Sequence, residues 1–140
     1  MTRSKYLKEG RLEDVLSLIQ VLALDKDSHR SETGLAAELP ERPASAESWL
    51  QLSKEHQEFF RVVEGKNHPI SLVVRHVSEE AGEKRPPLSP ENTQALLNAA
   101  IELHDRQLRR SQRWTVLIPI WIAVIGALVA IIKLFVDHGA

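Results

Sequence analysis

Histidine is the residue type in this sequence best suited to binding a metal or transferring a proton. The chain has six histidines and no cysteine; the histidines are His29, His56, His68, His76, His104 and His138. A zinc site needs three or four convergent ligands, and no two of these histidines stand at a metal-ligand spacing. The absence of cysteine also excludes disulfide bonds and thiolate chemistry within these residues. We therefore predict no metal site and no cofactor.

Clustered carboxylates are the next candidates for acid–base chemistry. Glu79, Glu80 and Glu83 lie close together, but in a polar, proline-containing stretch where water surrounds them and no strong pKa perturbation is expected. The sequence also contains no glycine-rich phosphate loop, no Gly-x-Ser-x-Gly motif and no HExxH motif. We therefore predict that the chain is not an enzyme.

Arginines beside an apolar segment give the clearest chemical signal. Four of them share the short stretch before this segment: Arg106, Arg109, Arg110 and Arg113. Near a bilayer, each guanidinium group contributes about 1 kcal/mol of attraction to anionic headgroups. Trp114 begins the segment and Lys133 lies near its end, where both side chains can reach a membrane–water interface. We predict that these six residues contact membrane lipids.

The apolar segment itself is long enough to cross a membrane. Residues 115–132 are 18 consecutive residues without a charge, and Lys133 is the single charged residue in the longer stretch 115–136. At about 1.5 Å per residue, this longer stretch spans roughly 33 Å, against a hydrocarbon core of about 30 Å. The alternative is a buried core helix, but the rest of the chain is too short to surround one. We predict one transmembrane helix over residues 114–136, followed by a short tail over residues 137–140.

The charges around this segment predict its orientation. Because arginines precede it, the positive-inside rule places the N-terminal part of the chain in the cytoplasm. Over about its last 30 residues the chain resembles tail-anchored proteins. That resemblance implies a single-pass membrane protein that inserts after translation.

Small residues within the segment offer a face for helix association. Ala123 and Ala127 are four residues apart, as are Gly126 and Ala130. This spacing lets two membrane helices approach closely, and it predicts a homo-oligomer formed through the transmembrane helix. The alternative is that small residues are simply common in membrane helices.

Three helices are predicted before the first strand. Apolar residues at helical spacing indicate a helix over residues 11–24, and residues 25–31 read as a polar connection. Ser31 is a predicted N-cap for a short second helix, and Ser45 is a predicted N-cap for a third helix that ends near Gln57.

A β-hairpin follows these helices. Residues 59–63 and 69–77 are rich in β-branched and aromatic side chains, and turn residues lie between them. Phe59 and Phe60 should point to opposite faces, one into the core and the other toward a partner or the following helix. The predicted core contains seven large residues: Leu16, Ile19, Leu22, Leu35, Trp49, Phe60 and Leu72.

Three helices followed by a hairpin resemble the winged-helix family in element order, over about residues 5–78. In such a fold the third helix and the hairpin would contact nucleic acid. The matching polar residues are Gln51, Lys54, Arg61, Lys66 and Arg75. However, residues 1–88 carry 13 Lys and Arg against 15 Asp and Glu, a net charge of −2, whereas a phosphate-binding face clusters positive charge. Nucleic acid is therefore an unfavoured partner.

The sequence thus predicts an α+β protein in five parts. A winged-helix-like cytoplasmic domain over residues 1–78 is followed by a polar linker over 79–88. An amphipathic stalk helix over 89–113, capped by Ser89, leads into the transmembrane helix and the tail. The expected function is a non-enzymatic, membrane-tethered interaction or adaptor module for an unknown protein partner. The alternative is a membrane-anchored winged-helix regulator that binds nucleic acid.

Overall fold

The structure is a computed structural model that describes residues 5–77 and 85–138. The chain divides into two compact units, Met1–His104 and Asp105–Ala140. The division lies inside the predicted stalk helix. Most of the predicted linker and part of the predicted tail lie outside the described residues.

The architecture is mixed α+β, as predicted, with a small antiparallel sheet and one long apolar helix. A 3₁₀ turn over Lys5–Leu7 precedes the first helix. The remaining elements are α1 (Arg11–Leu24), β1 (His29–Arg30), α2 (Glu32–Ala36), α3 (Trp49–Glu55), β2 (Phe60–Val62), β3 (Ile70–Leu72), α4 (Val74–Val77) and α5 (Pro90–His138).

Capping side chains set where most of the helices begin. The bounds of α1 match the prediction, and Ser31 caps α2 as predicted by accepting a hydrogen bond from the Gly34 amide at 3.0 Å. The predicted cap of α3 was wrong: Ser48 accepts from the Gln51 amide at 3.0 Å. Ser45 is engaged elsewhere, because its amide and its hydroxyl both donate to the carboxylate of Asp14.

The sheet has the strand order β1-β3-β2, and both pairings are antiparallel. The predicted hairpin is formed by β2 and β3, with Arg61 opposite Ser71. Two details differ from the prediction. Residues 29 and 30 form a third strand where a polar connection was expected, and the second hairpin strand ends at Leu72 because the chain turns into α4.

The core of the first unit lies between α1, α3 and the sheet. Six of the seven predicted core residues are fully buried, and Leu16 is partly buried. Phe59 and Phe60 are both buried, so neither is an exposed partner contact. Ala100 of α5 belongs to the same core, and Leu96 and Leu97 pack against it. The first turns of α5 therefore complete the core.

Arg75 was predicted to lie on the hairpin as a candidate nucleic-acid contact, and this was wrong. Its side chain is buried, and the guanidinium group donates to the carbonyl oxygens of Leu22 at 2.8 Å, Asp25 at 2.9 Å and Arg85 at 2.7 Å. The last carbonyl groups of a helix have no partner within it, and they carry partial negative charge. Arg75 supplies that partner for α1, so it cannot also bind a ligand at the surface.

Replacing Arg75 with glutamine should destabilise the first unit by roughly 1–3 kcal/mol. That is the cost of leaving one buried carbonyl without a donor, here the carbonyl of Leu22, and the part-buried bonds to Asp25 and Arg85 would also be lost. The loss of stability is measured as a lower melting temperature of the full chain in a mild detergent, with circular dichroism as the signal. The matched control is Arg42→Gln, which makes the same change at an exposed position. Equal melting temperatures for the two variants would show that Arg75 does not hold these segments together.

Candidate functional site

The predicted nucleic-acid contacts are not gathered on one face. Gln51 donates to Glu55 within α3 at 3.1 Å, and Lys54 forms an ion pair with Glu64. Arg61 and Lys66 are exposed, whereas Arg75 is buried. The structure therefore leaves two of the five side chains exposed and without a carboxylate partner among the described residues.

Lys54 and Arg61 do share a groove between α3 and β2. We call it the α3–β2 groove; its lining includes Lys54, Phe60, Arg61, Val62, Glu64 and Val73, and its volume is about 510 Å³. The lining combines three apolar side chains with charges of both signs. Such a mixed surface suits a polypeptide better than a uniformly negative phosphate backbone.

In the second unit, the four predicted lipid-binding arginines lie on α5 and are exposed. Arg109 and Arg113 line a shallow depression together with Gln112 and Leu117. Lys133 is also exposed on α5. Trp114 lies on the same helix, but its side chain is outside the described part of the chain.

The apolar part of α5 is exposed on all sides. Fourteen large apolar side chains from residue 117 to residue 136 are 44–75% accessible. The helix is long and apolar enough to cross a membrane, with a mean hydropathy of 2.7 over its most apolar window, none of which is buried. Pro119 lies inside the helix without ending it.

The predicted association face remains a prediction. Ala123, Gly126, Ala127 and Ala130 are all exposed on α5. A β-carbon added at Gly126 would meet nothing within 4 Å in a single chain. The backbone is therefore open to close approach at this point, and small residues alone do not identify what approaches it.

A cluster of cations beside β1 was not predicted. We call it the cationic cleft; it is lined by Lys26, Asp27, His29, Arg30, His68 and Arg85, and its volume is about 590 Å³. Lys26 and Asp27 lie in the connection that follows α1, His29 and Arg30 form β1, and His68 lies in the hairpin turn. Arg85 is positioned by its own backbone, since its carbonyl oxygen accepts from Arg75.

His76 connects this cleft to the sheet. Its Nδ1 contacts the guanidinium groups of Arg61 and Arg85, which can only donate, so Nδ1 must be the unprotonated nitrogen. Its Nε2 then donates to the hydroxyl of buried Ser71 at 2.8 Å. Burial, and then the charge of Arg85, lower the pKa of His76 to about 4. The ring is therefore neutral at pH 7.

His29 lies edge-on to His76, with 5.0 Å between the ring centroids. Burial lowers its pKa, and four cations lower it further: Arg85, Lys66, Arg61 and Arg75. The cations around these two imidazoles create a positive electrostatic potential beside the sheet. The net charge of −2 over residues 1–88 concealed this potential, because a sum of charges ignores where the charges lie.

A second network of titratable groups ties the N-terminal turn to the end of α3. Lys5 donates to Glu58 at 2.7 Å, and the hydroxyl of buried Tyr6 also donates to it. Burial opposes ionisation of Glu58, but these hydrogen bonds lower its pKa to about 2. Buried Arg11 pairs with Glu55 at 2.5 Å. Each carboxylate has a cationic partner, so the network is well suited to holding these segments together.

Comparison of the chain with protein-family models, with curated proteins and with solved structures finds no significant match.

The half-buried, neutral state of His76 should make stability depend on pH. Its pKa is about 4 in the folded chain against an ordinary value of 6.5, so the unfolded chain binds more protons between these values. This contribution to stability is complete above pH 6.5 and is lost as the pH falls toward 4. Replacing His76 with glutamine should reduce the fall in melting temperature between pH 7.5 and pH 5.

The control for this experiment is His68→Gln, because His68 is exposed in the hairpin turn. We expect this variant to keep the pH dependence of the original chain. The same dependence in all three proteins would mean that His76 does not titrate as described. His29 and His56, whose pKa values burial also lowers, should account for the remaining slope.

Proposed function

We propose that this chain is a membrane-tethered, non-enzymatic protein-interaction module. In this proposal α5 is a single transmembrane helix, and a winged-helix-like domain at its N-terminal side contacts a protein partner. The observation that carries the proposal is the exposed apolar part of α5 within the same chain as a folded α+β unit.

A magnitude supports the membrane part of the proposal. Burying one large apolar side chain contributes about 1.5–3 kcal/mol, so leaving fourteen of them in water costs on the order of 20 kcal/mol. This exceeds the whole stability of a typical small domain, about 5–15 kcal/mol. A hydrocarbon environment removes that cost.

The side of the membrane follows from the flanking charges. Arginines concentrate before the apolar part of α5, which favours a cytoplasmic location for the first unit. The same arginines would bind anionic headgroups of the cytoplasmic leaflet.

Two features support the interaction part. The helices α1 to α3 precede the β2–β3 hairpin, which is the element order on which the winged-helix resemblance depends. The α3–β2 groove offers apolar side chains between charges of opposite sign, as protein–protein contacts often do. Holding such a groove at a membrane raises its effective concentration toward other membrane proteins.

The nucleic-acid alternative has less support. Of its five candidate contacts, Arg75 is buried and Lys54 is paired with Glu64. A duplex-binding face needs several cations free to reach phosphates along one surface.

Placing charges in the middle of α5 should release the chain from membranes. Replacing Ile125 and Leu128 with arginine adds roughly 2.5–3.5 kcal/mol each to the cost of insertion. We expect the double variant to leave the carbonate-resistant membrane fraction, in which the original chain should remain. The control exchanges the same residues conservatively, Ile125→Leu and Leu128→Ile. If the arginine variant stays in the membrane fraction, α5 is not the anchor.

Photo-crosslinking from the α3–β2 groove tests the interaction role. A photoreactive amino acid at Gln57, which also lines the groove, should capture a defined protein in intact membranes. The same group at exposed Glu41 should not capture it. Replacing Val62 with aspartate should abolish capture, because a charge would disrupt the apolar lining. Equal capture from both positions, or capture that survives Val62→Asp, would reject the groove as the contact surface.

A further inference from the structure

The cationic cleft concentrates positive charge that the described residues do not neutralise. Arg30 is paired with Asp25 and Glu38. The other two lining cations, Lys26 and Arg85, make no ion pair with any carboxylate within residues 5–77 and 85–138. Arg61 and Lys66 do not line the cleft, but their charges act on His29. Asp27 is the one acidic side chain among the described lining residues. Like charges held this close repel one another, and an anion would relieve that repulsion.

The side chains around the cleft are also the right donors for an oxyanion. Arg85 presents a planar guanidinium group that can donate two parallel hydrogen bonds, and Lys26 adds a compact charge. The Ser28 hydroxyl lies 2.9 Å from the Nδ1 atom of His29, so both groups line the same wall. A volume of about 590 Å³ suits a small phosphorylated group better than a nucleic-acid duplex.

We propose that the cationic cleft binds a phosphate group, carried either by a soluble phosphate ester or by a phosphorylated lipid headgroup. Arg85 and Lys26 are the principal donors, and His29 lies within the same wall. This inference goes beyond the proposed function, because it requires neither the groove nor a membrane-spanning α5. Phosphate binding can therefore be disproved without disproving the membrane-tethered interaction module. The interaction module can likewise be disproved without disproving phosphate binding.

Binding and protonation should be linked in this cleft. A phosphate dianion stabilises the imidazolium form, so it should raise the pKa values of His29 and His76. By reciprocity, protonation of either ring should tighten binding of the dianion, over the pH range in which the phosphate keeps its second charge. The cations that act on these rings are Arg85, Arg61 and Arg75, with Lys66 acting on His29 as well, and Lys26 and Asp27 line the same cleft as His29. These four cations oppose protonation, and an anion would counter them.

The first experiment titrates inorganic phosphate into the full chain in neutral detergent micelles, with chloride at equal ionic strength as the reference. Side-chain nitrogen resonances of His29 and His76 should shift saturably and titrate at higher pH. Lys26→Gln with Arg85→Gln should weaken binding at least tenfold, whereas Arg42→Gln should leave it unchanged. If the double variant folds poorly, Lys26→Gln alone is measured instead. This substitution lies at an exposed position, and we expect it to weaken phosphate binding by a smaller factor.

The absence of a saturable shift would overturn the proposal. Equal weakening by Lys26→Gln and Arg42→Gln would also overturn it, because it would indicate nonspecific attraction. Residues 78–84 precede Arg85 in the sequence, lie outside the described residues and include three glutamates. If phosphate binds only after Glu79, Glu80 and Glu83 are replaced with glutamine, the cleft does not take an external anion, and the proposal fails.

A second experiment separates the two sources of the phosphate group. The full chain is placed in nanodiscs of phosphatidylcholine, with and without a phosphoinositide. A His76 shift on adding the phosphoinositide without free phosphate identifies a lipid headgroup. A shift that requires added inositol phosphate in the phosphatidylcholine discs identifies a soluble ester. Either result supports the site; binding to duplex nucleic acid alone would refute it.

Discussion

The guanidinium group of Arg75 is the interaction on which the first unit most depends. A buried charge needs hydrogen-bond partners, and both terminal nitrogens of Arg75 find them in backbone carbonyl groups rather than in a carboxylate. Its Nε atom has no partner among the described residues. The guanidinium group joins the end of α1, the connection to β1 and the residue at position 85. The same contacts set the positions of the elements around the cationic cleft. The stability of the unit and the geometry of its candidate site therefore have a common origin.

The two units differ in where their apolar side chains lie. The first buries large residues such as Trp49 and Phe60 within about a hundred residues, and it uses the first turns of α5 to do so. The second leaves its apolar side chains on the surface of a helix. Water is a suitable solvent for the first arrangement and a poor one for the second. This contrast is the physical reason for proposing a membrane anchor.

Local patterns in the sequence predicted what depends on local physics. Apolar spacing gave both ends of α1, and Ser31 and Ser89 cap the helices that they were expected to cap. The strand at His29 escaped prediction because it is short, polar and defined by pairing with distant Ser71. Arg75 was misplaced because strand alternation holds only while the strand continues, and this one ends at Leu72. The cationic cleft draws on residues from Lys26 to Arg85, so only the tertiary fold reveals it.

The short outer strands of the sheet have a consequence for crowding. β1 contains two residues and β2 three, and they form the two edges, so each edge offers few unpaired backbone groups to another chain. Molecules confined to a bilayer meet one another far more often than molecules dispersed in solution. A longer, flatter edge would invite sheet-to-sheet aggregation under those conditions. With so little edge to extend, copies held at a membrane, as proposed, can collide often without polymerising through their sheets.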